Sequence, residues 1–240
     1  MAKITLSRRL QTLAHMVTSG HAVCDVGCDH AHAVIYLVEQ GISPRGIAMD
    51  INNSPLERAA ENIAARNLAD KIDVRLSDGL AALQVNEVEA VIIAGLGGIL
   101  MQSILAAAPE KTGSLAELVL QPQSELPAFR QYLRLAGFHT VAEDIVLEEG
   151  KFYHLMKVRP GLPDPKEPGR TTIADSYGGM LLESRHPVLL QYLKREHRIT
   201  MDIYKAMNNN DSYLNGKNHS RLLEIEGKLD ELTDLIGMWP

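Results

Sequence analysis

The sequence predicts an α/β domain with a mostly parallel, seven-stranded sheet, followed by a smaller, wholly helical C-terminal domain. Three observations lead to this prediction. From about residue 5 to 159, short apolar segments alternate with amphipathic ones, which is the pattern of βα units. The last two apolar segments are joined only by the short connection "EEGKFY", so they form an antiparallel pair at one edge of the sheet. Beyond residue 178 the apolar residues recur at helical spacing alone.

Seven short apolar segments are the predicted strands, and amphipathic stretches such as 54–66 and 98–107 are the predicted helices between them. The strands are AVCDV (22–26), GIAMD (46–50), IDVRL (72–76), AVIIA (90–94), LVLQP (118–122), HTVAEDIVLEE (139–149) and KFYHLMKVR (151–159). A parallel sheet with helices on both faces and an antiparallel pair at one edge is typical of Rossmann-like class I S-adenosylmethionine-dependent methyltransferases.

Composition divides the chain into three parts: a catalytic domain over residues 1–160, a linker over 161–178 and a helical hairpin over 179–240. The segment 160–172, PGLPDPKEPGRTT, contains four of the eleven prolines and shows no apolar periodicity. In the last part, steps of three and four residues predict two facing coiled-coil seams. These are Leu189, Tyr192, Ile199, Ile203 and Ala206, and then Leu222, Ile225, Leu229, Leu232 and Ile236.

The overall charge and the cysteine content restrict the classes of function. A net charge of −6 argues weakly against a nucleic-acid partner, but residues 185–221 carry seven basic and three acidic residues, an excess of +4. No apolar run reaches the roughly 18–20 residues that span a bilayer, and from the polar character of residues 1–17 we expect no secretory signal. The two cysteines lie four positions apart, a poor disulfide framework. These features predict a cytoplasmic protein without a membrane anchor.

The segment VCDVGCDHAH (23–32) contains both cysteines and two histidines, but its spacing matches no standard zinc pattern, so we expect no metal. Instead it resembles the glycine loop that follows the first strand of a nucleotide-binding sheet. Gly27 has Asp25 before it and Asp29 after it. An acid at the strand end suits a cofactor that carries an ammonium and a sulfonium better than one that carries a pyrophosphate.

Further candidate cofactor residues follow the next predicted strands. Asp50 and Ile51 end the second strand, and Asp78 and Gly79 follow the third. Taken singly, each aspartate could be a helix N-cap, whereas three on successive strand ends favour S-adenosylmethionine. The fourth strand ends in IIAGLGG, where Ala94, Gly95 and Gly97 allow the backbone to approach a ligand or simply form a tight turn. The [DN]-P-P-[YF] signature of many amino-group methyltransferases is absent from this position.

Several motifs together resemble the bacterial tRNA (adenine-N1)-methyltransferases that modify position 22. They are LSRRLQTLA, DVGCDHAH, IIAGLGG, LVLQPQ and EEGKFYHLM, and they occur in the family's order. The resemblance covers both predicted domains and implies S-adenosylmethionine as donor, a class I fold and tRNA as substrate. Cys28, His32 and Gln123 depart from the Ser, Tyr and Asn usual in the family, which puts details of substrate handling in doubt.

The resemblance and the chemistry of N1 methylation assign the remaining roles. The N1 lone pair of adenine is free and the product is a cation, so a carboxylate rather than a strong base is needed. We expect Asp29 to supply it and His30 to position Asp29 or the base, with loop capping as an equally good alternative for both residues. Substrate contacts are expected from a larger set. Its members are Arg8, Arg9, His32, Gln123, Lys194, Arg195, Arg198 and Lys205.

Three alternatives remain open from the sequence. The protein could methylate another acceptor, it could bind tRNA without a cofactor, or, least favoured, it could be a nicotinamide oxidoreductase that lacks two of the fingerprint glycines. For the basic residues of the hairpin, the alternative is a solvated helix face. A monomer is expected, with a dimer through the coiled coil as the alternative.

Overall fold

The computed structural model describes residues 4–161, 172–208 and 219–239. The chain divides into two compact units, Met1–Met180 and Leu181–Pro240. Among the described residues, no helix is both long and apolar enough to cross a membrane.

The first unit is built on one seven-stranded sheet with the order β3-β2-β1-β4-β5-β7-β6. Strands β1 to β5 run parallel to one another, and β7 pairs antiparallel with both β5 and β6. This topology confirms the predicted Rossmann-like sheet and its antiparallel edge pair. The strands are β1 Val23–Val26, β2 Gly46–Asp50, β3 Ile72–Leu76, β4 Ala90–Leu96, β5 Glu117–Pro122, β6 Phe138–Glu148 and β7 Lys151–Pro160.

Helices form most of the connections between the parallel strands, and the connection from β3 to β4 contains none. In the first unit they are α1 Arg8–Met16, α2 His32–Glu39, α3 Asn53–Ala64, α4 Gly98–Ala106, α5 Pro109–Gly113, α6 Leu126–Leu135 and α7 Thr172–Tyr177. Helix α8, Gly179–Glu183, spans the boundary between the units, and α9 Pro187–Asn208 and α10 His219–Gly237 belong to the second.

The core of the first unit lies on both faces of the sheet because successive residues of a strand point to opposite sides. Val23 packs into one apolar cluster, whereas Cys24 and Val26 pack into the other. All four residues of β1 are buried. A central parallel strand buried on both faces needs this continuous apolar character, and Cys24 meets it as a small apolar side chain.

Close packing between β2 and α2 depends on one glycine. A Cβ atom placed on Gly46 would lie 2.1 Å from Cγ2 of Val34, a fully buried side chain of α2. Because the valine is branched and enclosed, it has little freedom to move aside. The absence of a side chain at Gly46 therefore sets the distance between this helix and the sheet.

The predicted linker, residues 161–178, differs from the structure at its C-terminal end. Residues 162–171 lie outside the described residues, but Thr172–Tyr177 forms α7, which packs on α6 in the first unit. Arg134 forms an ion pair with Asp175, and Nη1 of Arg130 donates to the Asp175 carbonyl oxygen over 3.1 Å. These contacts make residues 172–177 part of the first unit, whose boundary lies at Met180.

The second unit contains the predicted pair of long helices, and the seam of α10 agrees closely with the sequence pattern. Leu222, Ile225, Leu229 and Leu232 are buried as expected, but Leu235 is buried in place of Ile236. The stretch 209–218 between the two helices of the predicted hairpin lies outside the described residues.

The predicted seam of α9 is largely wrong. Leu189 is buried as expected, but Ile199, Ile203 and Ala206 are exposed. The buried side of α9 instead carries Leu189, Leu193, Thr200 and Met207. This side includes a threonine and half-buried polar residues, so a search for apolar residues at helical spacing selected the neighbouring side of the helix.

Candidate active site

The loop after β1 folds tightly toward the end of β2 before α2 begins. The backbone amides of Gly27 and Cys28 both donate to the Met49 carbonyl oxygen, over 2.8 and 3.0 Å. Gly27 has a φ of 74°, and Asp29 and Ala31 also have positive φ values, 49° and 59°. Positive φ is unusual for residues with a side chain. The loop therefore holds a specific, sharply turned conformation at the carboxyl end of the sheet.

An open cleft of about 300 Å³ lies at this end, over β1 and β4. It brings together residues from α1, from the loop after β1, from the ends of β1 and β4 and from the segment after β5. Its lining residues are Arg9, Leu10, Asp25, Gly27, Cys28, Asp29, His30, His32, Ala33, Ile92, Ala94, Gly95, Leu96 and Gln123. Nine of the predicted site residues are therefore neighbours in a single cavity.

Asp25 is a buried carboxyl group at the floor of this cleft. Its exposed fraction is 5%, and no described residue donates a hydrogen bond to its side chain. Burial raises the pKa of Asp25 from 3.8 to about 7, the nearby Asp50 and Asp29 carboxylates raise it further, and the Arg9 guanidinium partly offsets them. Because burial and neighbouring negative charges disfavour its ionised form, this carboxyl group would be stabilised as a carboxylate by a cationic partner.

Asp29 and two histidines form the rim of the cleft. The Asp29 side chain is 73% exposed, and its Oδ1 lies 3.5 Å from Nε2 of His30. The rings of His30 and His32 stack with 5.4 Å between their centroids. Burial lowers the pKa of His32, and the neighbouring His30 lowers it further. The rim thus combines one accessible carboxylate with a flat aromatic surface.

Arg9 reaches into the cleft from α1, and the sequence did not reveal this position. Its Nη1 donates to Oε1 of Gln121 over 2.7 Å, and its guanidinium lies over the Tyr153 ring at 5.2 Å from the centroid. Gln121 is fully buried on β5. The neighbouring Arg8 is exposed, and its backbone amide donates to Glu148. The two adjacent arginines therefore differ in location, although both were expected to extend an RNA-binding surface.

The remaining predicted cofactor residues lie outside the lining of this cleft. Asp50 ends β2 next to β1, where its Oδ1 accepts the Asn52 amide over 2.9 Å, and Ile51 is 59% exposed. Asp78 and Gly79 line a second cavity with residues of α4 and α5. The three aspartates nevertheless lie at or just beyond the carboxyl ends of adjacent strands, because the sheet order places β1, β2 and β3 side by side.

The two predicted site glycines at the end of β4, Gly95 within the strand and Gly97 just after it, have separate roles. Gly95 has a φ of 79°, and a Cβ atom there would lie 3.5 Å from Nε2 of Gln123 and 3.9 Å from Nη1 of Arg9. Gly97 is the N-cap of α4, and a Cβ on it would lie 3.0 Å from the Ser124 hydroxyl. Gly95 therefore keeps the cleft open, whereas Gly97 serves the packing of the strand-to-helix turn.

The cleft suits an organic cofactor better than a metal ion. Among the described residues, no group of three or more His, Cys, Asp and Glu side chains is placed to hold a metal. Burial raises the pKa of the Cys24 and Cys28 thiols, which opposes formation of a metal-binding thiolate. An elongated ligand with a cationic end fits the open space beside Gly27 and Gly95 and the buried Asp25 carboxyl.

In the second unit, the predicted RNA-binding residues lie on α9. Lys194, Arg195, Arg198 and Lys205 are all exposed. Because Lys194, Arg198 and Lys205 are separated by four and seven residues, they share one side of the helix. That side is opposite the buried Leu193 and Thr200.

The sheet order and the cleft at its carboxyl edge define a class I methyltransferase fold, and comparison with known proteins gives the same class. Residues 6–156 match the family described as "Methyltransferase domain". The tRNA (adenine(22)-N(1))-methyltransferase of Bacillus subtilis (strain 168) is 29% identical over 98% of this chain and 99% of its own. The crystal structure of the B. subtilis m1A22 tRNA methyltransferase TrmK superposes with a TM-score of 0.85, over 97% of this chain and 99% of that one.

A second set of structures comes from Streptococcus pneumoniae. Its protein Sp1610, a proposed tRNA (m1A22) methyltransferase, is 31% identical, with a TM-score of 0.87 over 97% of this chain and all of that one. The same protein in complex with S-adenosyl-L-methionine is 30% identical and gives a TM-score of 0.84 over the same shares. The protein therefore belongs to the tRNA (m1A22) methyltransferase family of class I methyltransferases.

Proposed function

We propose that this protein transfers the methyl group of S-adenosylmethionine to N1 of the adenosine at position 22 of tRNA. The observation that carries the proposal is the similarity to the B. subtilis enzyme along 98% of the chain, which includes the helical second unit as well as the methyltransferase domain. An enzyme that methylates a different acceptor would need to resemble the B. subtilis enzyme only in the first unit.

The cleft residues support S-adenosylmethionine as the donor. When bound, this cofactor supplies an electrophilic methyl group on a sulfonium. Asp25 would accept hydrogen bonds from the cofactor's ammonium, and Gly27 and Gly95 leave space for the chain that joins the ammonium to the sulfonium. Asp50, with one oxygen bonded to Asn52, has its other oxygen available for ribose hydroxyls. Asp78, on the next strand end, would hold the adenine of the cofactor.

Asp29 and the histidine pair would serve the target base. N1 attacks with a lone pair that is already free, so the reaction depends on alignment and on stabilisation of the cationic product. The exposed Asp29 carboxylate is the anionic group at the rim, within 3.5 Å of His30. The stacked rings of His30 and His32 offer a surface for a base that has left the RNA stack, because N1 lies on the pairing edge.

The role of Asp29 is tested by Asp29→Asn and Asp29→Ala. We expect kcat to fall by about 10²-fold in both variants, with unchanged affinity for S-adenosylhomocysteine, because the carboxylate acts on developing charge. Asp70→Asn is the matched control, since Asp70 is exposed near the opposite, amino end of β3. Normal turnover by Asp29→Asn would refute the assigned role.

The basic side of α9 would bind the tRNA backbone. A triple charge reversal at Lys194, Arg198 and Lys205 should raise KM for tRNA and flatten its salt dependence, because each lost phosphate contact lowers the slope of log K against log salt by about 1. Affinity for S-adenosylhomocysteine should not change. Arg221→Ala is the control, since the Arg221 guanidinium is paired with Glu224 on α10. An unchanged KM for tRNA would assign the α9 residues to a solvated helix face.

The complete proposal is tested with methyl-labelled S-adenosylmethionine and unmodified bacterial tRNA that contains adenosine 22. Label is expected as 1-methyladenosine at that nucleotide, and replacement of A22 by G should abolish it. Label at another nucleotide would keep the assignment as a tRNA methyltransferase but change the position that it modifies. Cofactor binding without transfer to any tRNA would direct the search to other acceptors.

We further infer that the protein works as a cytoplasmic monomer. A tRNA substrate and two buried, unpaired cysteines agree with a reducing compartment. Light scattering coupled to gel filtration would test the oligomeric state, and a mass of about 53 kDa, twice the 26.4 kDa of one chain, would refute the monomer.

A further inference from the structure

The β6–β7 hairpin ends in a tight turn. Glu148 and Lys151 are register partners, so only Glu149 and Gly150 form the connection between the strands. Both connecting residues have positive φ values, 49° and 76°, as in the two-residue turns whose twist matches that of antiparallel strands. The tip of this hairpin is therefore a compact, well-defined element rather than an open loop.

The hairpin extends beyond the carboxyl edge of the sheet, where the cleft lies. Strand β7 pairs with β5 as far as Met156, which lies opposite Leu120, and β5 ends at Pro122. Continued over two more residues, this register would place Pro122 opposite His154. Residues 151–153 therefore extend past the end of β5, by about 10 Å.

One side of the hairpin tip faces α1 and the cleft. Alternate residues of a strand point to the same side, so Lys151 and Tyr153 share the side of Leu155. Leu155 packs into the apolar cluster that contains the buried residues of α1. Tyr153 lies under the guanidinium of Arg9, and Arg9 lines the cleft. Lys151 therefore stands two residues further out along the same wall.

The start of α1 is attached to this tip. The Glu148 carboxylate accepts the Arg8 backbone amide over 2.6 Å, and register partners such as Glu148 and Lys151 point to the same side of the sheet. Arg8 and Lys151 are both exposed. Within the described ranges of the chain, neither cation forms an ion pair with a carboxylate. These two residues are called the tip surface.

The cleft and the tip surface carry opposite charges. The cleft has the buried Asp25 carboxyl at its floor and the exposed Asp29 carboxylate at its rim. A nucleotide that places its neutral base in the cleft has to keep its anionic phosphates away from these carboxyl groups. The tip surface offers two cations beside the cleft for this purpose, and contacts of this kind position a nucleic acid without reading its sequence.

We propose that the tip surface, Arg8 and Lys151, binds the phosphates that flank adenosine 22 while the base of this nucleotide occupies the cleft. The inference rests on the proposed function, since it assumes tRNA as the substrate. It gives a role to Lys151, which had none, and it narrows the expected role of Arg8 to the target nucleotide. The basic side of α9 would then bind other phosphates of the tRNA.

The test is a double-mutant cycle between the protein and the RNA. Affinity is measured for tRNA that contains adenosine 22, and for the same tRNA with a neutral methylphosphonate linkage on one or the other side of that nucleotide. At least one neutral linkage should weaken binding to the wild type by about 5-fold, and Lys151→Ala or Arg8→Ala should weaken binding of the unmodified tRNA by a similar factor. The variant and the neutral linkage together should weaken binding little more than either change alone, because both remove the same contact.

Two further variants control for the charge and for the structure of the hairpin. Arg159→Ala removes an exposed cation from the same side of β7, about 26 Å from Lys151 at the other end of the strand, and should bind all three RNAs like wild type. Glu149→Asn removes a negative charge from the turn with a residue that tolerates positive φ. It should bind tRNA more tightly than wild type, a change that damage to the hairpin would not produce.

The salt dependence of binding gives a second readout. Lys151→Ala and Arg8→Ala should each lower the slope of log K against log salt by about 1, and Arg159→Ala should leave the slope unchanged. The affinity of all variants for S-adenosylhomocysteine should equal that of the wild type, because the tip surface would contact only the RNA.

The outcomes separate this inference from the proposed function. Multiplicative losses from Lys151→Ala and the neutral linkages, or equal losses in Lys151→Ala and Arg159→Ala, would overturn the inference and leave the methyltransferase assignment intact. Wild-type affinity of Lys151→Ala and Arg8→Ala for unmodified tRNA would do the same. If the wild type neither bound nor methylated the unmodified tRNA, the proposed function and this inference would fail together.

Discussion

The buried Asp25 carboxyl should destabilise the ligand-free protein at neutral and alkaline pH. Its pKa is raised from 3.8 to about 7 in the folded protein. At about 1.4 kcal/mol for each pH unit, this corresponds to about 4 kcal/mol of folding free energy. The sign follows from proton binding. Between pH 3.8 and about 7 the folded state holds a proton that the unfolded state has lost, so stability falls as pH rises through that window and levels off above it.

Asp25→Asn removes this titration and should therefore stabilise the ligand-free protein more at pH 8 than at pH 5. The calculated difference between these two pH values is about 2–3 kcal/mol, since part of the penalty is already present at pH 5. For a chain of this size that is a gain in Tm, relative to wild type, of roughly 5–10 °C. The buried asparagine amide of the variant lacks some of its hydrogen bonds, which reduces the gain in stability. This reduction does not depend on pH, so the difference between pH 5 and pH 8 remains.

The measurement is thermal unfolding of the ligand-free protein by circular dichroism. Fluorescence is less suitable because the single tryptophan, Trp239, lies in the second unit. Asp70→Asn is the control, since this exposed side chain lies near the amino end of β3, at the opposite end of the sheet from the cleft, and its removal should change Tm little at either pH. A difference in Tm between Asp25→Asn and wild type that stays constant from pH 5 to pH 8 would refute the reasoning.

Two further predictions concern the packing of the first unit. Arg130→Ala should lower stability by about 3–5 kcal/mol, because it leaves the Glu143 carboxylate, 3.0 Å from Nε of Arg130, buried without its partner. The double variant Arg130→Met/Glu143→Leu should lose less in urea unfolding, and an equal loss would contradict this account. Gly46→Ala should cost about 1–3 kcal/mol through contact with Val34. Val34→Ala/Gly46→Ala should melt above Gly46→Ala, and a lower Tm would contradict the proposed contact.

The sheet could be predicted from the sequence because its signals are local. Each strand is a short apolar segment between helix-forming or turn-forming residues, and the rules for parallel sheets then bring the carboxyl ends of β1, β2 and β4 to one edge. The placement of Asp25, Asp50 and Gly95 follows from the same rules. Side-chain packing did not have to be known to predict that these three residues lie near one another.

Features that depend on contacts distant in sequence could not be predicted. Arg9 is adjacent to Arg8 in sequence, and only the packing of α1 against β5 and β7 directs it to Gln121 and Tyr153. The buried side of α9 is a second feature that depends on contacts distant in sequence. Ile199 fitted the predicted seam and Thr200 did not, yet Thr200 is buried and Ile199 is exposed.

The cleft combines two features that would destabilise an empty protein and stabilise a loaded one. Asp25 is buried without a hydrogen-bonding partner among the described residues, and Arg9 stands beside it without an ion pair. A ligand that carries an ammonium and a carboxylate would relieve both conditions at once. Binding to the folded state alone raises Tm as ligand concentration rises. The rise in Tm with saturating S-adenosylhomocysteine should therefore shrink in Asp25→Asn and in Arg9→Ala but not in Arg8→Ala. If all three variants responded like wild type, neither charge would be part of the cofactor site.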